Sequence, residues 1–387
     1  MSKVTVKEEV IRWAVDRSGR TLGDLQNKFP KIIEWATGEE RPSLRQLESL
    51  ARATLTPFGY FFLDRPPDER LPIPFFRTSE DEYLNRPTAN LIETIQIMQQ
   101  RQAWLREYLI DQGQEPLDFV RSARVDQTPN IMANKIRQLL GIEETWASKQ
   151  PTWKKALQNL REAIEAKGIM VIVNGVVGNN THRKLEVAEF RGFVLVDEYA
   201  PLVFVNGTDG KAAQMFTLAH ELAHILIGSS AAFDLRKLQP ADNSTEKACD
   251  RIAAEFLVPE TKFREIWPYA RRSMDAFQLV AREFKVSELV VARRALDLHY
   301  ITKNDFYNFY QAYIDKLDEL DRKGAIKKEQ GGDFYLTQNL RIGKPFARAI
   351  IRAVKEGKLL YNDAFHMTGL YGNAFNKYIE SLGYGAS

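Results

Sequence analysis

Hydrophobic and polar positions change rhythm four times along the chain. Residues 1 to about 72 alternate short amphipathic stretches with Gly and Pro breakers. This predicts short helices, closed by a linker at Pro66, Pro67, Pro72 and Pro74. From about 80 to 165 Leu, Ile, Gln and Glu dominate, with apolar residues at helical spacing, so several helices are expected. Between 168 and 205 the segments GIMVIV, FVLV and PLVFV are short, rich in β-branched residues and separated by Gly/Asn or charged turns, which predicts strands. After Gly210 the helical rhythm returns and continues to Tyr300. The stretch from Lys303 is aromatic and basic, with a break at Gly331-Gly332-Asp333. No internal repeat or low-complexity tract interrupts this order.

Length and composition narrow the class. A chain of 387 residues suits two or three domains at roughly 100–200 residues each. With 44% hydrophobic and 27% charged residues it has the balance of a soluble globular protein with a sizeable core. The single cysteine, Cys249, excludes a disulfide framework and a Cys-rich zinc site and fits a reducing cytoplasm. No apolar run approaches the roughly 18 residues of a membrane span, and MSKVTVKEEV lacks the apolar stretch of a signal peptide. The expectation is a cytoplasmic protein with no membrane partner. A net charge of +3 calls for neither a membrane surface nor a nucleic acid.

The chemistry concentrates in Met215 to Gly228, MFTLAHELAHILIG, which holds His220-Glu221-x-x-His224 inside a helix-forming run. Four residues along a helix turn about 400°, so both imidazoles project from one face, one turn apart. That spacing lets both reach one zinc ion at about 2.0–2.1 Å. Glu221 lies about 100° around from His220, placed to take a proton from a zinc-activated water without ligating the metal. Phe216, Leu218, Leu222, Ile225 and Leu226 make the helix a buried one, where unpaired polar groups are costly and a metal would satisfy them. The competing reading is an incidental match of three fixed positions. Two of only five histidines fall here, which disfavours it. For His182, His299 and His366 a solvated or core-satisfied imidazole is expected.

A catalytic zinc needs a third protein ligand and one open position. Downstream, STEKACDRIAAEFLVP carries Glu246 and Asp250 four apart on one helical face, with Ser244 or Thr245 as N-cap and Pro259 marking the end. Glu246 suits the third ligand, and Asp250 suits the acceptor of an N–H from a zinc-bound imidazole. An ordinary capping carboxylate is the alternative for Glu246. Glu255 falls off that face and reads as a surface or structural carboxylate. Cys249 reads as a small buried thiol.

FRGFVLVDEYAPLVFVNG, MFTLAHELAHILIG and EKACDRIAAEFLVP together resemble the ImmA/IrrE family of zinc metallopeptidases over roughly residues 130 to 300, with VSELVVARRALDL similar to the family's helical end. The resemblance implies an α+β, mostly helical fold with a gluzincin-like metallopeptidase core around a small β-sheet. It implies zinc held by His220, His224 and Glu246, with Glu221 as general base. It also implies cleavage of a transcriptional repressor or similar regulator. Family members more often have Asn where this chain has Asp250, and Asp is closer to the ExxxD arrangement of thermolysin-like enzymes. An extended peptide substrate is expected to add to a sheet edge before this helix, at Leu202 to Val205 or at Phe193 to Val196. Tyr199 is a candidate oxyanion stabiliser, ranked below simple packing.

The N-terminal stretch resembles an Xre-type helix-turn-helix through its short helices, the Trp35-x-x-Gly38 turn and the Arg41-Pro42-Ser43 start of LRQLESLAR. Lys28, Lys31 and Arg45 are the candidate DNA-phosphate contacts, with a solvated surface as the alternative. The Leu25 to Trp35 span is short and broken by Pro30. Through residue 70 the charges balance at twelve Lys/Arg against eleven Asp/Glu, whereas a DNA reader needs a basic footprint. A helix-turn-helix used for protein contacts is therefore as well supported as a DNA-binding one. From Thr261 onward 21 Lys/Arg face 15 Asp/Glu, and Arg348, Arg352 and Lys355 form a basic stripe on a helix opened by Pro345. That stripe is either a solvated face or a contact for nucleic acid or an acidic partner.

The resulting layout is 1–72 helix-turn-helix-like, 73–127 helical linker, 128–300 metallopeptidase and 301–387 helical basic/aromatic extension. It resembles proteins encoded beside toxin genes such as PIN-type nucleases. The leading expectation is a zinc-dependent endopeptidase acting on a regulatory protein. The alternative is an antitoxin or transcription-regulating binding module of a toxin–antitoxin pair.

Overall fold

The computed structural model describes residues 3–69, 87–228, 243–322 and 333–384. Pro72, Pro74, the 72/73 boundary and the Gly331-Gly332 break lie outside the described residues. The chain is α+β and mostly helical, with one small sheet and a short hairpin. Of the described residues, those up to Gln96 form one unit and those from Ile97 a second.

The first unit begins with α1 (Glu8–Arg17), α2 (Leu22–Gln26), α3 (Ile32–Thr37) and α4 (Leu44–Ala53), followed by a 3-10 turn at Phe58–Phe62. Thr21 and Ser43 start α2 and α4 through capping boxes. Each hydroxyl accepts the N–H of Asp24 or Gln46, whose side chain accepts the cap's own N–H. Pro30 lies in the gap between α2 and α3, and Gly38 ends α3 at φ 81°. The left-handed φ is what requires glycine here; a Cβ would also meet the end of the exposed Glu8 side chain, which can turn away. Val10, Ile11, Leu25, Ile32, Trp35, Leu47, Leu50 and Phe61 form the core.

The second unit opens within α5 (Ala89–Asp111), followed by α6 (Pro129–Leu140) and α7 (Trp153–Glu165). The strands are β1 (Met170–Asn174), β2 (Val176–Val177), β3 (Asn180–Lys184), β4 (Gly192–Leu195) and β5 (Leu202–Asn206). Then come α8 (Lys211–Ile227), α9 (Asn243–Leu257), α10 (Glu260–Ala270), α11 (Ala276–Phe284), α12 (Glu288–Asp297) and α13 (Lys303–Arg322). The chain closes on α14 (Phe334–Ile342), α15 (Lys344–Lys355), α16 (Tyr361–Thr368) and α17 (Asn373–Ser381). The sequence-based segments 128–300 and 301–387 both fall inside this unit.

Sheet order is β1-β5-β4, with β5 parallel to β1 and antiparallel to β4. Leu202 to Val205 is therefore the central strand, not an edge. It is hydrogen-bonded on both sides and fully buried, and among the described residues the edges are β1 and β4, the latter being the alternative placed at Phe193 to Val196. Val171, Val173, Val203 and Val205 face the main core, where α7 and α8 pack, and α9 continues that core through Ile252 and Phe256. The opposite parity of β1 meets the C-terminal helices. A Cβ on Gly343, between α14 and α15, would lie 2.9 Å from Ile172 Cδ1. The basic stripe lies on the outer face of α15: Arg348, Arg352 and Lys355 are exposed, while Phe346, Ile350, Ile351 and Val354 are buried.

Two long-range contacts tie α5 into this arrangement. Gln102 donates from Nε2 to the carbonyls of Leu195 and Ala200 at 2.8 and 3.0 Å, closing the β4–β5 turn. Arg101, buried, donates to the carbonyls of Met367 and Arg341 at 2.9 and 2.8 Å, and burial pulls its guanidinium down to about 10.

Candidate metal centre

Helix α8 is almost wholly buried, and its C-terminus is finished by backbone from the segment after α5. Arg121 N donates to Ile225 O at 3.1 Å and Ala123 N to Leu226 O at 2.9 Å, satisfying carbonyls the helix cannot. Gly228 adopts the left-handed conformation at φ 60° against Arg121. The helix that carries the two histidines is thus fixed at its last turn as well as along its length.

His220 and His224 lie one turn apart with their rings tilted by 60°, ring centroids 4.8 Å and Nε2 atoms 3.0 Å from each other. Glu246 arrives from α9 and addresses both. Its Oε2 lies 3.1 Å from His220 Nε2 and its Oε1 3.2 Å from His224 Nε2. Asp250, one turn further along α9, sits behind His220, with Oδ1 accepting from Nδ1 at 3.0 Å. Ser244 and Thr245 do not cap α9, because the helix already begins at Asn243 and both lie in its first turn.

The electrostatics follow from this clustering. Burial pulls the His220 imidazole down, but its hydrogen bonds to Asp250 and Glu246 outweigh that and push it up to about 10. Burial raises the Glu246 carboxyl, yet the same histidines hold it well below the usual carboxylate range. Glu221 behaves differently. It is 8% exposed, and burial raises its carboxyl despite the nearby histidines, which favours a group that accepts a proton and gives it back.

The donor set suits a metal ion. The candidate ligand atoms of His220, His224 and Glu246 all lie within 4.8 Å of one another. Two imidazole nitrogens 3.0 Å apart can share at most one N–H, so a cation between them and the carboxylate satisfies all three groups together. Asp250 accepts at Nδ1, which turns the His220 Nε2 lone pair towards the cluster. Two histidines and one glutamate are a ligand set found in catalytic zinc sites.

Gly192, at the start of β4, was not singled out by sequence and has a close steric role. A Cβ there would collide with the Thr217 methyl, lie 2.7 Å from the Phe204 carbonyl and stand 3.5 Å from Glu221 Oε1. The edge strand therefore passes directly beside Glu221. Its only local signal is a glycine opening an apolar run.

The remaining candidates separate cleanly. Glu255 is buried, pairs with Arg294 and is not part of the clustered donor set, so it is structural rather than a surface carboxylate. Arg294 Nε also donates to Val258 O at 3.1 Å, and Arg137 Nη2 donates to Glu255 O and Phe256 O at 2.7 and 3.1 Å, binding the end of α9. Cys249 is fully buried, and burial pushes its thiol up, as a packed thiol requires. Tyr199 sits in the β4–β5 turn with the Arg106 guanidinium 5.6 Å from its ring centre, a packing role. His182, His299 and His366 are exposed. In the first unit Lys28, Lys31 and Arg45 come together around one concavity of about 400 Å³ with Phe29, Pro30 and Trp35.

Residues 342–381 match a domain of unknown function, DUF8813. No curated protein matches the chain. Among solved structures, a Mycobacterium tuberculosis transcriptional regulator aligns at 18% identity over 50% of this chain and 51% of its own. The TM-score of that alignment is 0.27. The model of the Peptidase M78 family, described as an IrrE N-terminal-like domain, matches residues 164–296, a span that contains β1 to β5, α8 and α9. The part of this chain that holds the His220–His224–Glu246 cluster is thus similar to the IrrE N-terminal-like domain of the M78 peptidase family.

Proposed function

We propose that this chain is a zinc-dependent endopeptidase that cleaves a regulatory protein such as a transcriptional repressor. The observation that carries the reading is Glu246, whose two oxygens address both histidines at 3.1 and 3.2 Å while the buried Glu221 stays outside the trio. His220, His224 and Glu246 would hold the ion, and Asp250 would orient His220. Zinc in such a set supplies Lewis acidity and lowers the pKa of water towards about 7. Glu221 takes a proton from the attacking water and returns it to the leaving amine, a shuttle favoured by its raised carboxyl. β4, which has no strand on its outer side among the described residues, offers that edge to an extended peptide, and Gly192 brings it beside Glu221.

The test is a proteome-derived peptide library incubated with the full chain and zinc, with new termini read by mass spectrometry. Cleavage at a restricted set of sites, lost in Glu221→Gln, supports the reading. An identical product pattern in that variant removes it. A pure binding module of the antitoxin type has no use for a buried carboxylate beside a ligand cluster that it does not join, so the catalytic reading is preferred.

A further inference from the structure

We infer that the concavity bounded by Lys28, Lys31 and Arg45 in the first unit is a docking site for an acidic segment of a protein partner, anchored by an apolar side chain. This inference is independent of the peptidase reading. Phe29, Pro30 and Trp35 provide apolar walls, and about 400 Å³ is space enough for a side chain or two of a ligand. The cations are unequally occupied. Lys31 Nζ already lies 2.7 Å from Glu40, whereas among the described residues Lys28 and Arg45 have no acidic partner. Lys28 instead holds its ammonium 5.5 Å from the centre of the Phe29 ring. Two uncompensated cations beside an apolar hollow complement a carboxylate next to a hydrophobic anchor.

The surroundings favour protein over nucleic acid. Ile33 and Leu44, 42% and 46% exposed, adjoin the hollow's residues in sequence and add apolar surface that a phosphate backbone would not use. The helix between the cations, α3, has six residues and buries Ile32, Trp35 and Ala36. Ile33 and Thr37 are then exposed on it and Glu34 is half-buried, a poor set for reading a duplex. Through residue 70 the charge excess is a single positive unit, against the broad basic footprint that duplex binding needs.

The experiment uses the immobilised full chain and a displayed library of random peptides about 12 residues long. Selected peptides are then titrated by fluorescence anisotropy, with a DNA duplex as competitor. Peptides pairing Asp or Glu with Leu, Phe or Trp are expected. Their affinity should fall on the order of tenfold in Lys28→Glu/Arg45→Glu, and less in Lys28→Gln/Arg45→Gln. Circular dichroism checks that both variants keep their fold. The inference is overturned if selected peptides are not acidic or if affinity is unchanged in both variants. It is equally overturned if the duplex binds more tightly than any peptide and loses that binding in the same variants, which would make the surface a nucleic-acid site.

Discussion

Asp250 Oδ1 accepts a hydrogen bond from His220 Nδ1 at 3.0 Å, and this contact decides which nitrogen of His220 faces the cluster. A carboxylate in that position fixes the tautomer and increases the basicity of the opposite nitrogen. Asp250→Ala should therefore weaken zinc binding about 10- to 100-fold, and Asp250→Asn should weaken it less, since an amide oxygen still accepts. Competition against a chromogenic chelator measures both. Equal affinity in all three proteins would show that Asp250 does not orient the ring.

Gly192 gives a second expectation. Gly192→Ala forces β4 away from Thr217 and the Phe204 carbonyl, both of which stand where the new methyl would go. Zinc content should stay at the wild-type level because none of the three clustered donors moves, while cleavage falls. A steady-state comparison of zinc content and kcat/KM separates these effects. Loss of both together would mean that the strand supports the metal ligands themselves.

How much of this was legible beforehand depends on the range of the interaction. The HExxH pair and the Glu246/Asp250 pair are four residues apart on single helices, so helical geometry alone puts each pair on one face. What brings α9 to α8 is core packing among residues such as Leu222, Ile252 and Phe256, and that leaves only apolar periodicity in the sequence. The edge strand was ambiguous for the same reason. β4 and β5 are both short apolar runs, and the parallel pairing of β5 with β1 joins residues more than thirty positions apart, such as Met170 and Leu202. The packing of α14 on β1 and the β2–β3 hairpin, whose Asn180–Lys184 strand is largely exposed and polar, left no comparable pattern.

The buried Glu255–Arg294 pair predicts a stability effect distinct from chemistry. Removing Arg294 leaves Glu255 without its cation in a site that excludes water, so Arg294→Met should destabilise the second unit by roughly 3–5 kcal/mol. Adding Glu255→Gln removes the stranded charge and should recover a large part of that loss. Thermal melts of the single and double variants check this. A double variant no more stable than Arg294→Met would place the effect in lost packing instead of lost pairing.

Gly228 makes a related prediction for the end of α8. Its left-handed φ of 60° and its closeness to Arg121 leave no room for a side chain. Gly228→Ala should therefore lower the melting temperature, with a ΔΔG of about 1 kcal/mol or more. Calorimetry reads the shift directly, and an unchanged melt would show that this turn relaxes freely.

If α8 and α9 jointly hold one divalent ion through His220, His224 and Glu246, the ion stays with the folded chain. The most direct measurement is metal content by inductively coupled plasma mass spectrometry. It is made after zinc loading and desalting, on the wild-type chain and on His220→Ala, Glu246→Ala and Glu221→Gln. One zinc per chain is expected in the wild type and in Glu221→Gln, and little or none in the other two. A wild-type chain that retains no zinc, or a His220→Ala variant that keeps a full complement, would contradict it.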